Sequence, residues 1–472
     1  MEKGIVCTIS FEPMHRILYS DDYGREAEGR IDTASLSWRT VGVLAKWVRD
    51  YGDRITREEL ELLGRHLYSL LLAGPVGKEF SASFKVFGSL NTDASATYKP
   101  RFRVELRFSP EALELANLPW EFMYIPQDEI TGFFLAGERH DLVLTRLAPL
   151  NPGLPPLQSA ERPLRVMVAS CRHPEGASSD VEMVKTTILS MGTPDQIVVL
   201  ESEDPDFDEL RHQIETERPH ILHIIGHGEP GGLIMKRKFR SDAERYAHSV
   251  DDDLSDVVTI AAETVRSLFD THRPHMVFLH ACDGDSAPSL TSIFSTAREV
   301  AYAAVPAVVA MQYQISVQDA LEFVTTFYKE VGDGQPVSEA VKEGRRRLAL
   351  NQQATGKRRD WSTRLFGTPV VYVQRDEPLV MARLAPPPAP GRVPAQEGNL
   401  KKCRRCGTMV PDHIVCCRKC GLRFKCECGA TYDEPATDCF CGECTRAVSQ
   451  PPWPVQGGDA AVPDRRTAGF GA

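Results

Sequence analysis

The sequence predicts an α/β protein: a mostly parallel sheet flanked by helices, followed by a small metal-binding module. Three observations carry this. Between residues 162 and 375, short β-branched apolar runs alternate with helix-length segments, and the runs are nearly continuous in apolar character, as strands buried on both faces are. Of the 13 cysteines, ten crowd between Cys403 and Cys444. A proline-rich stretch, Glu377–Gly398 (EPLVMARLAPPPAPGRVPAQEG), separates the two regions with little to bury and reads as an extended linker stiffened by Pro386–Pro388.

Taken in chain order, Ile5–Phe11 and the alternating Arg101–Phe108 (RFRVELRF) are expected strands. Arg57–Leu72 (REELELLGRHLYSLLL) has the pattern of an amphipathic helix, and Leu118–Tyr124 (LPWEFMY) the bulk of a core or interface plug. The strands expected next are Leu164–Ala169, Gln196–Leu200, His220–Ile225, Met276–His280, Ala307–Met311 and Val370–Val373. Helices are expected between them at Asp180–Met191, Asp206–Glu217, Ala261–Asp270, Thr291–Ala304, Val317–Val331 and Val337–Asn351. Strand–helix alternation of this kind makes a parallel sheet with helices on both faces. Ligands of such sheets gather at the carboxyl ends of the strands, so chemistry is sought in the residues just after each apolar run.

Composition excludes several classes. The 472 residues carry 55 Lys and Arg against 65 Asp and Glu, a net charge of −10, which rules out a strongly basic nucleic-acid coat protein. No run of about 18 apolar residues exists to cross a membrane. The opening MEKGIVCTIS lacks a secretory signal's long apolar stretch. A soluble cytoplasmic protein is expected, and in a reducing compartment clustered cysteines hold metal more often than they form disulfides. No period of 20–50 residues marks a repeat array.

Two strand ends carry reactive residues. HILHII ends in Gly226-His227-Gly228, and MVFLH ends in Ala281-Cys282-Asp283-Gly284. If these strands are neighbours, His227 and Cys282 emerge side by side. An adjacent imidazole raises the thiolate fraction of a cysteine and orients the sulfur for attack on a carbonyl. Glycines flanking His227 allow close approach of a substrate backbone and supply N–H donors for an oxyanion, and His227 would protonate the leaving amine. Alone, a strand-end cysteine reads as a small buried hydrophobe and a histidine between glycines as a turn residue; the conjunction favours a Cys–His dyad. His223 and His280, inside the strands, read as core or supporting residues. Cys7 and Cys171, on or beside apolar runs, read as inert packing.

The segments HIIGHG and LHACDGD resemble the His and Cys motifs of the caspase-like cysteine peptidases, in particular the bacterial CHAT-domain family. The likeness extends to residues 305–348, similar to that family's strand-and-two-helix closing unit. It includes WSTRLFGTPVVY (361–372), its terminal strand, LPWEFMY (118–124), its Leu-Pro-Trp-Glu motif, and ELLGRHLYSLLL (61–72), its leading helix. It covers roughly residues 60–375. The resemblance implies a caspase-hemoglobinase fold and thiol-dependent peptide cleavage, with His227 as general base and acid, Cys282 as nucleophile, and Gly228 and the Cys282 backbone as oxyanion donors. With the composition and cysteine spacing, it divides the chain into an N-terminal lobe (1–155), a catalytic lobe (156–376), the linker (377–398), a metal module (399–446) and a disordered Gly/Pro/Ala-rich tail (447–472). Unlike many CHAT proteins, this chain has no tetratricopeptide repeats. The charged stretch Lys236–Asp256 reads as a solvated loop, with self-cleavage beside the dyad as the sharper alternative. Asp283 and Asp285 would either cap the next helix or attract a basic P1 side chain.

In the tail, Cys403-x2-Cys406-Gly and Cys417-x2-Cys420-Gly form two knuckles of a zinc ribbon, each turn aiming two thiolates at one tetrahedral ion. A second, less regular set assigns Cys426, Cys428, Cys441 and Cys444, with Cys416 and Cys439 as spares. The pattern resembles double zinc ribbons at the ends of bacterial proteins, so two structural Zn2+ ions are expected and none for catalysis. A segment this short has little apolar core, and metal would supply most of its folding energy. Residues 399–446 carry nine Lys and Arg and six Asp and Glu, a net of +3, too mild to argue for nucleic acid over a protein ligand. The function expected is a caspase-like cysteine endopeptidase acting on a specific, co-encoded protein, a regulated effector in bacterial stress, defence or cell death. The alternatives are a non-catalytic caspase-fold scaffold and a zinc-ribbon nucleic-acid-binding regulator.

Overall fold

The computed structural model describes residues 4–90, 100–148, 160, 163–171, 178–191, 196–239, 257–281, 291–354, 364–379, 400–402 and 409–411, apart from positions 53, 129, 130, 227, 230, 231, 304, 314, 375 and 376. The chain divides into two units, Met1–Pro388 and Ala389–Ala472.

The first unit begins with strands β1 (Ile5–Glu12), β2 (Arg16–Asp21) and β3 (Glu26–Arg30), then helices α1 (Leu36–Asp50), α2 (Arg57–Leu71) and α3 (Gly74–Leu90). Helix α2 starts where the sequence expects. Thr56 and Glu59 exchange side-chain bonds with each other's backbone N–H at 3.2 and 2.8 Å, satisfying two orphan donors. Its stripe Leu60, Leu63, Leu67 and Leu70 faces the core. Strand β4 (Phe102–Phe108), the short helix α4 (Leu113–Ala116), the hairpin β5 (Tyr124–Pro126) with β6 (Gly132–Phe134), and β7 (Leu142–Leu147) complete the N-terminal half.

The alternating region comes next as β8 (Leu164–Cys171), α5 (Ser178–Leu189), β9 (Ile197–Glu203), α6 (Phe207–Glu217) and β10 (Ile221–Gly226). Asp206 and Glu209 form a second capping box on α6, both bonds 2.9 Å. Beyond them are β11 (Gly228–Glu229), β12 (Gly232–Lys236) and β13 (Val257–Ala261), which form a separate three-stranded sheet, then α7 (Ala262–Val265). Strand β14 (Met276–Ala281), α8 (Thr291–Tyr302), β15 (Ala307–Met311), α9 (Val317–Gly332), α10 (Val337–Ala354) and β16 (Pro369–Val373) end the unit.

Among the described residues one sheet holds eleven strands in the order β3-β2-β1-β4-β7-β16-β15-β14-β10-β8-β9. Every neighbour pair is parallel except β3–β2, β2–β1 and β16–β15. Val370–Val373 is thus a strand as expected, but it runs against β15 and with β7. It joins two oppositely directed halves into one sheet. The C-terminal half of the sheet buries both faces, which is why its strands read as continuous apolar runs. Val166, Ile221 and Phe278 face Phe323, Phe327 and Tyr328 of α9. Met167, Leu222 and Val277 meet α6 and α8 on the other side through Leu210, Ile214 and Val300. The expected helix Ala261–Asp270 is instead the end of β13, one turn of α7 and a 3-10 turn, Arg266–Phe269.

Of the second unit, β17 (Leu400–Lys402) and β18 (Met409–Pro411) are described, paired antiparallel with Lys402 opposite Met409.

Candidate active site

Strands β10 and β14 are neighbours, paired in register from Ile221↔Met276 to Gly226↔Ala281. The residues next in the chain are His227 and Cys282. Both lie outside the described residues, as do Asp283, Asp285 and residues 240–256. Gly228 is described in its backbone, paired with Leu233 across β11–β12. The same edge receives Cys171, the last residue of β8, whose partner is also Gly226. A Cβ on Gly226 would sit 3.0 Å from the Cys171 carbonyl oxygen and 3.2 Å from its Cβ, so the close approach favours glycine there.

Two thiols are thereby distinguished from a nucleophile. Cys171 is fully buried, and burial pushes its pKa up to about 12. Cys7, on β1 beside the Tyr19 hydroxyl at 3.2 Å, is likewise pushed up to about 12, chiefly by burial. Both are the packing residues the sequence predicts, because a neutral thiol this stabilised is inert.

Directly beneath the two strand ends lie His223 and His280, both buried. His223 stacks on Phe278, its strand partner, with ring centroids 4.4 Å apart and planes 10° from parallel. Its Nδ1 is 2.9 Å from the Tyr328 hydroxyl, and its Nε2 is 3.4 Å from His280 Nδ1. Burial, and secondarily the neighbouring His280, hold His223 well below the usual imidazole range, so it is neutral.

The flank of the site is braced by charges buried in the core. Glu121, from the LPWEF segment, receives Arg146 through Nε at 3.0 Å and Nη2 at 2.7 Å. Arg345 of α10 approaches the same carboxylate at 3.6 Å, and Gln312, immediately after β15, donates to it at 3.2 Å. Burial alone would raise the Glu121 carboxyl, but the Arg146 guanidinium, with Arg345 behind it, holds it below the usual range. Arg345 also donates to the Pro369 and Leu144 carbonyls, tying β16 to β7. Gln312 Nε2 donates to the Gly367 carbonyl as well. Phe122 packs edge-on against Phe366 at 5.5 Å, and a Cβ on Gly367 would collide with the Phe122 ring. LPWEFMY and WSTRLFGTPVVY, far apart in sequence, therefore meet beside the end of β15.

The metal ligands expected in the tail (Cys403, Cys406, Cys417, Cys420, Cys426, Cys428, Cys441 and Cys444, with Cys416 and Cys439) lie outside the described residues. Among the described residues no group of three or more His, Cys, Asp or Glu could hold a metal ion. Positions 403–408, between the paired strands β17 and β18, are among those outside the described residues. No described helix is long and apolar enough to cross a membrane.

This geometry defines a mixed α/β protein with a mostly parallel sheet and two motif-bearing strands ending side by side. The CHAT-domain family model matches residues 61–371, and the chain belongs to that family. No curated protein matches the sequence. Among solved structures, a chain of the Saccharomyces cerevisiae separase–securin complex is similar with a TM-score of 0.41 and 13% identity, over 79% of this chain and 30% of that one. The chain thus spans less than a third of that relative's length. The Arg-specific cysteine proteinase gingipain R gives 0.37 and 10%, over 72% of this chain and 77% of that chain. The Drosophila initiator caspase Dronc gives 0.28 and 11%, over 48% and 88%.

Proposed function

We propose that the chain is a caspase-like cysteine endopeptidase that cleaves a specific protein partner with a Cys282–His227 dyad. The observation that carries this is the parallel pairing of β10 with β14, in which Gly226 and Ala281 are opposite residues and His227 and Cys282 come next in the chain. In the reaction, His227 takes the Cys282 proton and the thiolate adds to the scissile carbonyl. The resulting oxyanion accepts bonds from the Gly228 and Cys282 N–H groups. The C–N bond then breaks as His227 returns the proton to the leaving amine, and water, deprotonated by His227, hydrolyses the thioester. Family membership supports the same reading, and the burial of Cys171 and Cys7 leaves them unsuited to the role.

The substrate is a protein co-encoded with this one, and the setting a regulated effector system in bacterial stress, defence or cell death. The C-terminal segment is a double zinc ribbon that docks a partner; the Cys-x2-Cys spacing at Cys403 and Cys406 supports its first site. Candidate co-encoded proteins are incubated with wild-type protein and its Cys282→Ala form, and fragments are read by mass spectrometry. Cleavage by the wild type alone is expected. Equal cleavage by Cys282→Ala, or insensitivity to thiol alkylation, would remove Cys282 as nucleophile. Binding without any cleavage would favour the scaffold alternative.

A further inference from the structure

The buried run Tyr328–His223–His280 lies directly below the strand ends from which the dyad of the proposed function departs, and nothing in that function uses it. Its hydrogens can be placed. Among the described residues the Tyr328 hydroxyl has one polar neighbour, His223 Nδ1 at 2.9 Å. Burial drives the Tyr328 pKa upward, so the phenol keeps its proton and donates it to Nδ1. His223 is neutral, so its own hydrogen sits on Nε2 and points along the 3.4 Å contact to His280 Nδ1. With Nδ1 accepting, the His280 ring carries its hydrogen on Nε2. The opposite polarity would leave the buried phenol hydrogen without an acceptor, which costs about 1–3 kcal/mol.

The run also ties three elements together: α9 through Tyr328, β10 through His223 and β14 through His280. His280 is followed by Ala281 and Cys282, and its register partner Ile225 by Gly226 and His227.

We propose that Tyr328, His223 and His280 are positioning residues for the Cys282–His227 pair, a polarised hydrogen-bonded strut that fixes the setting of the two strand ends and holds His280 as its Nε2–H tautomer. The inference rests on the dyad reading given above. Strand ends set by apolar packing alone retain freedom to slide by fractions of an ångström, and a misplacement of about 1 Å can cost on the order of a hundred-fold in rate. A directional bond across β10 and β14 removes that freedom at the last side chains before the exits.

The test reads Cys282 directly and needs no substrate. The full chain is alkylated with iodoacetamide across pH 5–9, and modification of the Cys282 peptide is followed by mass spectrometry in the wild type and in His227→Ala, His280→Leu, His280→Gln and Tyr328→Phe. Nitrogen-15 spectra of the histidines report tautomers. The wild type should show His280 protonated at Nε2, and Tyr328→Phe should mix the tautomers of His223 and His280. His280→Leu should slow Cys282 alkylation at neutral pH about ten-fold and move its pH midpoint upward. His280→Gln, which keeps a donor near Nε2 but no acceptor at the Nδ1 position, should be slowed as His280→Leu is. Once a cleaved protein is in hand, the loss should fall on kcat with KM unchanged.

If His227→Ala leaves the profile unchanged, the dyad is wrong and the strut loses its object. If His227→Ala shifts the profile while folded Tyr328→Phe and His280→Gln match the wild type, the positioning inference alone falls. A wild-type spectrum with His280 protonated at Nδ1, or an effect confined to KM, would also overturn it.

Discussion

His223 shows most directly how one residue's surroundings set its chemistry. Stacked on Phe278 and closed in by Tyr328 and His280, it is neutral in the folded protein, whereas in the unfolded chain it takes up a proton near the ordinary imidazole pKa of about 6.5. His220, at the opposite end of β10, is also lowered, to about 4, by burial and then by the charge of His275. Below pH 6.5 the unfolded state therefore binds more protons than the folded one, and stability falls with falling pH. Above 6.5 these groups cost nothing. The urea midpoint of the 1–388 unit should accordingly fall between pH 6.5 and 5, and His223→Gln should flatten that fall. A slope unchanged by His223→Gln would show that this histidine is not among the groups responsible. The proposed chemistry-bearing positions, His227 and Cys282, stand out in the sequence because each sits just past an apolar run, and both lie outside the described residues. The sequence reads His223 and His280 as core or supporting residues, but only the pairing of β10 with β14 shows that their rings meet.

At the scale of elements, legibility tracks burial. Strands β8, β10, β14 and β15 are apolar on both faces and declare themselves as runs. Strand β7 (LVLTRL) does not, because Thr145 and Arg146 interrupt it; Arg146 is buried there because Glu121 and the Ala116 and Leu118 carbonyls receive its guanidinium. Helix α3 hides behind Gly74, Pro75 and Gly77, yet Gly77 is needed, since a Cβ there would collide with the Leu72 carbonyl oxygen. Helix α1 keeps Leu36, Val43 and Trp47 exposed, which blurs the amphipathic stripe a core-facing helix shows. The meeting of LPWEFMY with the β15–β16 junction yields a prediction. Glu121→Gln leaves Arg146 and Arg345 buried without a counter-charge and should destabilise the protein by about 3–5 kcal/mol. Chemical denaturation checks it, and a loss under about 1 kcal/mol would mean that the arginines re-solvate rather than stay in the core.

For the whole molecule, the linker-like composition of Glu377–Gly398 falls where the chain divides between Pro388 and Ala389. The eleven-stranded sheet spans both of the lobes that the sequence divides near residue 155, so they share one continuous hydrogen-bonded ladder. The sequence could not show this, because the join is made by β16, whose partners β7 and β15 come from opposite sides of that boundary. The proposed zinc module in the tail would obey different physics. If two zinc ions supply most of its folding free energy, the purified chain should contain about two zinc equivalents. Chelation should then unfold residues 399–446, read as new proteolytic cuts there, while cuts within 1–388 stay as before. A metal-free tail that resists proteolysis equally would argue against the ribbon.

Strand β16 has a further consequence for how the molecule comes into being. During synthesis, β1, β4 and β7 appear first and β8 to β15 later, yet the two groups touch through a strand made after both. Until Val373 has left the ribosome, β7 and β15 each present a bare edge, and such edges recruit any available strand. Insertion of β16 closes both at once and brings in Pro369 and Gly367, whose carbonyls receive Arg345 and Gln312. A protein built this way becomes a single folded body in its closing step. A potentially destructive thiol would then be set in its final frame only when the whole sheet is there to hold it.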